Sequence, residues 1–328
     1  MSSAPPQALI ITGSDIRRLM TPADFLAAVE RGFRAAAMGK AHSPHPMHIP
    51  TARGSFHAKG ASISLGRDYV AVKVNGNFPG NPARHGLPTI QGAIILADGS
   101  NGSLLAILDS IEVTLRRTAA ASALAAKLLA RPDSRTLLIC GGGKQGRAHL
   151  SAIGEVLPIE QRLIWDRDRV CAERLAAAVG GIVVDDLEWA AKSADVIATC
   201  TTATAPFLHR GMIGPSTFIA AVGADNPDKN EISPDLMAAA TVVTDVTAQC
   251  STMGDLHHAL EAGSMTESDV RAELAEVLAG TKPGRCSQQD IIIFDSTGTG
   301  LQDVAASAAI YERSIGEGTV GSVPLSAP

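Results

Sequence analysis

Thr136-Leu137-Leu138-Ile139-Cys140-Gly141-Gly142-Gly143-Lys144-Gln145-Gly146 is the stretch that decides the fold. A short apolar run bounded by glycine predicts a buried strand over 136–140, and the periodicity after it predicts a helix over 145–156. Gly141, Gly143 and Gly146 between them satisfy G-x-G-x-x-G. That pattern alone is weak. Here a strand precedes it, a helix follows, and a second apolar run at 162–165 completes a βαβ unit. In such a unit the first glycine permits the tight turn, the second lets backbone approach a pyrophosphate, and the third lets helix and strand pack closely. The helix start then offers N–H groups to phosphate. The reading is a dinucleotide site, with Lys144 and Gln145 in the variable positions. Asp166 ends the second strand, placed for a ribose 2′-hydroxyl, which favours NAD. Arg167 beside it suits a 2′-phosphate and keeps NADP open.

Outward from this turn, strands are predicted at 182–184, 195–200, 217–222, 241–245 and 291–294, separated by helical runs. Such alternation predicts an α/β, Rossmann-type doubly wound parallel sheet. The stretch 252–289 reads as mostly helical, and a last helix spans about 300–314. Before the turn the pattern differs. A short strand is expected at 8–12, with Ser14-Asp15 as caps, and an amphipathic helix at 22–39 on Phe25, Val29, Phe33 and Ala36. Pro44, Pro46 and Pro50 forbid a helix over 41–50. Strand-like runs at 55–65, 69–75, 88–97 and 103–109 predict an antiparallel block, and 112–131 an Ala-rich helix stopped by Pro132. A chain of 328 residues exceeds what one core usually supports, so two domains are expected. The tail from Gly316 is small and polar and reads as mobile.

Composition excludes several classes. The net charge of -5 carries no basic stripe for nucleic acid or for an anionic membrane. With 3% aromatics, stacking platforms for single strands are not expected. The N-terminus lacks the regions of a signal peptide, and no apolar run is long enough to span a bilayer, so a cytoplasmic protein is expected. Five cysteines at odd spacing suit neither a zinc site nor a disulfide framework; Cys140, Cys171 and Cys200 read as small buried hydrophobes.

Individual residues carry the chemistry. Lys73 sits in Ala71-Val72-Lys73-Val74, where an inward lysine is costly unless it meets an anion, but alternation does not decide the face. Arg117 opens a helix of low charge and suits bidentate capture of carboxylate or phosphate; Arg116 reads as solvated. Asp225 follows an apolar strand at the carboxyl end of the sheet, where open α/β sheets bind ligands. It also suits a turn before Asn226-Pro227. His42, His45, His48 and His57 lack the spacing and companion ligands of a metal site, so no metal is expected. Asp295 and Asp303 are given no role beyond capping or structure.

Several blocks closely resemble the ornithine cyclodeaminase/mu-crystallin family: Lys73-Val74-Asn75-Gly76-Asn77-Phe78-Pro79-Gly80-Asn81-Pro82, Gly86-Leu87-Pro88-Thr89, Leu115-Arg116-Arg117-Thr118-Ala119, Val222-Gly223-Ala224-Asp225-Asn226-Pro227-Asp228-Lys229-Asn230-Glu231, and Phe294-Asp295-Ser296-Thr297-Gly298. The resemblance covers about 55–312. It implies a nicotinamide cofactor and a discontinuous α+β substrate and dimerisation domain beside the Rossmann domain. The expected bounds are 1–118 joined by 300–328, and 119–299. A homodimer is implied. Lys73 would touch the substrate's carboxylate or reacting group and Thr297 the substrate. Asp225 would be the acid/base. Thr89 and Arg117 would line the nicotinamide and diphosphate, Thr201 and the backbone of Ile219–Val222 would flank the cofactor, and Lys229 and Ser296 would lie near it. Many members carry an arginine near Met47-His48 that this chain lacks. Lys59 resembles a lysine of some reductase-like members and is a candidate for the missing charge, with His48 a further candidate at the substrate.

The implied activity is an NAD(P)-dependent oxidoreductase at the α-carbon of a small amino, imino or keto acid: an imine or ketimine reductase, or an amino-acid dehydrogenase. The chemistry needs a held carboxylate, a polarised C=N or C=O and a proton source. The alternatives are a cyclodeaminase that recycles its NAD and releases ammonia, or a non-catalytic cofactor-binding protein like mu-crystallin. Retention of both Lys73 and Asp225 argues against the last.

Overall fold

The structure is a computed structural model describing residues 7–325. Residues 1–6, where no signal peptide is read, and 326–328 lie outside the described residues. The chain divides into two compact units: one runs to Arg117 and resumes at Thr299, and the other is Thr118–Gly298.

The Thr118–Gly298 unit is built on eight parallel strands. Their order across the sheet is Ile182–Val183, Gln161–Trp165, Thr136–Cys140, Val196–Thr199, Phe218–Ala221, Ile292–Asp295, Thr241–Thr244, Ala272–Glu273. Successive residues Leu137, Leu138 and Ile139 are all buried. Both faces of such a sheet are covered, so its central strands read as continuous apolar runs rather than alternating ones. Chain order runs outward from Thr136–Cys140 to Ile182–Val183 on one side and from Val196–Thr199 to Phe218–Ala221 on the other, with the last strand, Ile292–Asp295, inserted before Thr241–Thr244; the central pair aligns Cys140 with Thr199. That reversal opens the crevice at the strands' carboxyl ends.

The span 252–289 is less helical than its sequence suggests. It holds Asp255–Glu261, Leu274–Ala279, a 3-10 turn at Glu267–Asp269 and the edge strand Ala272–Glu273. Thr266 and Glu273 each form a reciprocal capping box, so the chain restarts twice within the span. Two short strands, Thr204–Leu208 and Asn230–Ile232, also pair in parallel outside the main sheet.

The other unit carries a mixed sheet in the order Gly321–Pro324, Gln7–Ile11, Leu104–Asp109, Ile90–Asp98, Asp68–Asn77, Gly54–Ser64, Ala41–His42, with Met47–Thr51 also on Gly54–Ser64. The block is not wholly antiparallel: Gln7–Ile11 runs parallel to Leu104–Asp109. Nor is the tail loose. Gly321–Pro324 pairs antiparallel with Gln7–Ile11, satisfying backbone groups that an edge strand would leave open. The proline-rich span around 41–50 forms two short strands rather than irregular chain.

Helix Pro22–Ala37 buries Phe25, Val29 and Phe33, and it packs on Gly300–Glu317, which buries Leu301, Val304 and Ala308. The first helix, Gly13–Leu19, is capped by Thr12, with Asp15 closing a capping box; Ser14-Asp15 is therefore inside the helix. In strand Asp68–Asn77 the alternation is resolved. Tyr69, Ala71 and Lys73 are buried, whereas Val72 and Val74 are 40% and 41% exposed. Lys73 thus faces the apolar interior.

Candidate active site

Helix Lys144–Gly154 begins directly at the glycine turn with Gly143 as its N-cap, and no side chain caps it. Its first-turn N–H groups therefore point toward the crevice without a side-chain acceptor. A Cβ on Gly146 would stand 2.0 Å from the Gly141 carbonyl oxygen, so helix and turn meet only because position 146 has no side chain. At Gly143 nothing lies within 4 Å of where a Cβ would be. The Gln145 side-chain oxygen is buried and without a hydrogen-bond partner. Open space at the middle glycine and an uncapped helix start fit a bound pyrophosphate.

Asp166 stands at the end of Gln161–Trp165, half-buried, and its carboxylate accepts the Gly142 N–H at 2.7 Å and the Asp168 N–H at 2.8 Å. It shapes the turn as well as facing the crevice edge. Arg167 is exposed and Lys144 likewise. The cysteines divide: Cys140 is buried, but Cys171 and Cys200 are partly exposed, because the first lies on a helix flank and the second just beyond its strand.

Along the same edge, Thr201 follows Val196–Thr199, and Val222 follows Phe218–Ala221. Ile219 departs from its assigned place. It is fully buried inside the strand, paired to Ile197 on one side and Ile293 on the other, so its backbone belongs to the ladder and its side chain to the core. Asp225 is exposed, and its Oδ1 accepts from Lys229 Nζ at 2.7 Å. Ser296 donates to Asp245 at 2.8 Å, and Thr297 accepts from Gln249 at 2.6 Å; both are buried.

In the other unit, three residues distant in sequence converge. Lys73 Nζ lies 2.7 Å from Asp303 Oδ2, and Arg117 Nε donates to Asp303 Oδ1 at 2.9 Å. Arg117 also donates to Gln302 at 2.7 Å, and Lys73 to Thr114 at 3.3 Å. Burial pushes the Lys73 ammonium down to about 8, against the pull of Asp303, while Arg117 and Lys59 push the same way as burial. Burial alone would raise the Asp303 carboxyl, but Lys73, Arg117 and Lys59 outweigh it and hold it below its ordinary value. Lys59 stands directly opposite Lys73 on the neighbouring strand. Three cations thus act on one carboxylate.

Arg117 is engaged differently from its assignment. Its guanidinium is 4% exposed and committed to Asp303 and Gln302, since a buried arginine on an Ala-rich helix needs an internal anion. Arg116 pairs with Glu112 at 2.8 Å. Thr89 is half-buried, and its carbonyl accepts the Phe78 N–H. His48 is an exposed strand residue whose ring stacks on His57 at 4.6 Å, its register partner.

Asp303, which the sequence offers only as a capping or structural acid, is the anion at the centre of this group. Its signal was present, as an acid inside the strongly apolar start of helix Gly300–Glu317, where an unpaired carboxylate is not tolerated. His149 carries no signal in the sequence pattern. It is buried in helix Lys144–Gly154, bonded to Ser122 and the Gln145 carbonyl, and burial pulls it down to about 4.

Known proteins share this architecture. A putative dehydrogenase of Rhizobium meliloti is 38% identical over 93% of this chain and 95% of its own length. The archaeal alanine dehydrogenase dimer with bound NAD superposes with a TM-score of 0.93 at 32% identity, covering 98% of this chain and 100% of that one. The Delta(1)-pyrroline-2-carboxylate reductase of Thermococcus litoralis, in complex with NADH and L-proline, superposes with a TM-score of 0.90 at 30% identity, covering 96% and 100%. Residues 7–318 match the ornithine cyclodeaminase/mu-crystallin family. With that match joined to the glycine turn and the buried Lys73–Asp303–Arg117 group, the chain belongs to the ornithine cyclodeaminase/mu-crystallin family.

Proposed function

We propose that this protein is an NAD(P)-dependent oxidoreductase acting on the α-carbon–nitrogen bond of a small amino or imino acid, as an imine or ketimine reductase or an amino-acid dehydrogenase. The observation that carries the reading is the buried group in which Lys73 and Arg117 share Asp303, with Lys59 across the strand. Two cations against one carboxylate leave a positive surplus in a place with little water. A substrate carboxylate neutralises such a surplus, and in this reading the Lys73 ammonium holds that carboxylate or polarises the C=N group. A nicotinamide held at the glycine turn would supply or accept the hydride; in this reading Asp225 supplies the proton, and Thr297 and His48 are substrate-side candidates. The test follows NADH absorbance and ammonia together, with cyclic imines, keto acids plus ammonia or methylamine, and ornithine. Stoichiometric NADH consumption on an imino acid supports the reading. Ammonia release from ornithine without net change in NADH would replace it with a cyclodeaminase.

Lys144, Gln145 and the glycine turn hold the pyrophosphate in this reading, and Asp166 holds the adenosine ribose. Asp166→Asn keeps an acceptor for the Gly142 N–H but loses the charge and the acceptor for the Asp168 N–H. It is expected to weaken NADH by about tenfold, as one charge-assisted hydrogen bond to a ribose hydroxyl is worth, and to leave NADPH nearly unchanged. Fluorescence titration with both cofactors reads this. Equal loss for both would remove the ribose role.

We further propose a homodimer formed through the outer face of the mixed sheet. Val72, Val74 and Ile95, with Val72 and Ile95 in register, are 40%, 41% and 46% exposed on that face, with Phe56 beside them at 39%. A contiguous apolar patch of this kind is costly in water unless covered, and the archaeal relative is described as a dimer. Ile95→Glu is expected to convert the protein to monomers in light scattering while leaving its far-ultraviolet circular dichroism intact. A dimer that survives this change at micromolar concentration would place the interface elsewhere.

A further inference from the structure

Glu231 enters the sequence only as the end of a family block, yet it is fully buried at the carboxyl edge of the parallel sheet. Its Oε1 accepts both the Thr201 N–H and the Thr201 hydroxyl at 2.7 Å, and its Oε2 accepts the Gly223 N–H at 2.8 Å. Thr201 is the exit of strand Val196–Thr199, and Gly223 the exit of strand Phe218–Ala221. One carboxylate therefore ties two adjacent strand exits together. It also closes the loop on which Asp225 stands, since Glu231 lies on the strand Asn230–Ile232 that receives the loop Gly223 begins. A Cβ on Gly223 would lie 2.3 Å from Glu231 Cδ, so the tie is made at a contact only glycine permits.

The tie has a stiff base. Asp255 Oδ1 accepts the N–H groups of Glu231 and Ile232 at 2.7 and 3.0 Å, and Asp295 Oδ2 accepts the Leu256 N–H at 2.9 Å. The other oxygens of Asp255 and Asp295 are buried with no hydrogen-bond partner among the described residues. Burial pushes both carboxyls up, Asp295 to about 7. Glu231 is pushed up by burial too, and hydrogen bonding from Thr199, Thr201 and Gly223 opposes that rise. Three donors aimed at two oxygens suit an ionised carboxylate; an amide in the same place would turn donors against one of them.

We propose that Glu231 is a positioning residue, whose buried carboxylate sets the spacing of the Thr201 and Gly223 loops that flank the cofactor and thereby places Asp225. This rests on the cofactor and acid/base reading above. Glu231→Gln keeps the shape and removes one acceptor, and Gly223→Ala presses on the same contact from the other side. Three measurements on the full chain separate the possibilities: amide hydrogen exchange, NADH affinity by fluorescence, and kcat against KM with the deuterium isotope effect of 4-deuterated NADH.

The expected result for Glu231→Gln is faster exchange confined to the segments around 199–203 and 222–226, with NADH Kd raised about tenfold. Turnover is expected to fall about a hundredfold, the loss typical of a displacement near 1 Å, with the isotope effect enlarged because hydride transfer becomes slower than release. Gly223→Ala is expected to loosen the same two segments. Exchange, Kd and kcat all at wild-type values would overturn the proposal. So would loosening spread evenly over the whole unit with a collapsed melting temperature, which marks a structural role only. If the wild type fails to bind NADH, the cofactor reading falls, and the exchange pattern still decides whether the tie exists.

Discussion

Asp303→Asn is expected to destabilise the protein by about 3–5 kcal/mol, the cost of leaving buried charges without their partner. Asp303 is 1% exposed and answers both Lys73 and Arg117. Once it is neutral, two cations remain in a site from which water is largely excluded. Lys73→Met should cost less, because Arg117 keeps Asp303 company in that variant. Urea unfolding of the three proteins at pH 7 gives the ordering, and a loss under about 1 kcal/mol for Asp303→Asn would show that solvent reaches the group.

The same substitution moves a pH profile. Lys73 titrates at about 8, and Asp303 is the influence holding it up against burial. The ammonium form is complete below that value and is lost as pH rises through it. The alkaline limb of kcat/KM is therefore expected near 8 in the wild type. In Asp303→Asn it is expected at lower pH, since an anion that favours the cation is gone. A limb that stays in place would mean that Lys73 does not set it.

Asp225→Asn is the second large effect, and it falls on turnover rather than stability. Removing a general acid is worth about 10²–10⁴ in rate. The Asp225 side chain is 52% exposed, and its pair with Lys229 at 2.7 Å lies at the surface. Such a pair contributes little to folding, about 0–1 kcal/mol. The variant should therefore keep its melting temperature and bind NADH within about twofold of wild type while losing nearly all turnover. Turnover above about a tenth of wild type would take the proton transfer away from Asp225.

Much of the architecture was legible because its causes are local. The strand Thr136–Cys140, the turn through Gly146 and the helix beyond follow from neighbouring residues: an apolar run, glycines at set offsets and a change of period. The long helices at Pro22–Ala37 and Gly300–Glu317 were legible for the same reason. Misreadings arose where partners are remote or local signals conflict. The tail looked mobile because its small polar residues carry no pattern; it forms a strand because Gln7–Ile11 offers it an open edge. The span 252–289 looked helical because its residues favour helix, while Thr266 and Glu273 cap the chain anew.

The site divides along the same line. Gly141, Gly143, Gly146 and Asp166 belong to one contiguous βαβ unit, so their chemistry can be read from spacing. Lys73 was ambiguous by alternation, since a strand shows two faces and its pattern does not say which one is covered. Burial by the sheet and by helix Gly300–Glu317 turned it inward, and the anion it then needed, Asp303, also pairs with Arg117, 186 residues earlier. Glu231 is the same case: its bonds to Thr201 and Gly223 exist because strands that are apart in the chain leave the sheet side by side. Residue order along the chain specified the turn that holds a dinucleotide, through short-range sterics and hydrogen bonding. The charges that surround the chemistry were assigned their partners by folding, because a buried ion is stable only beside the counter-charge or donors that packing brings to it.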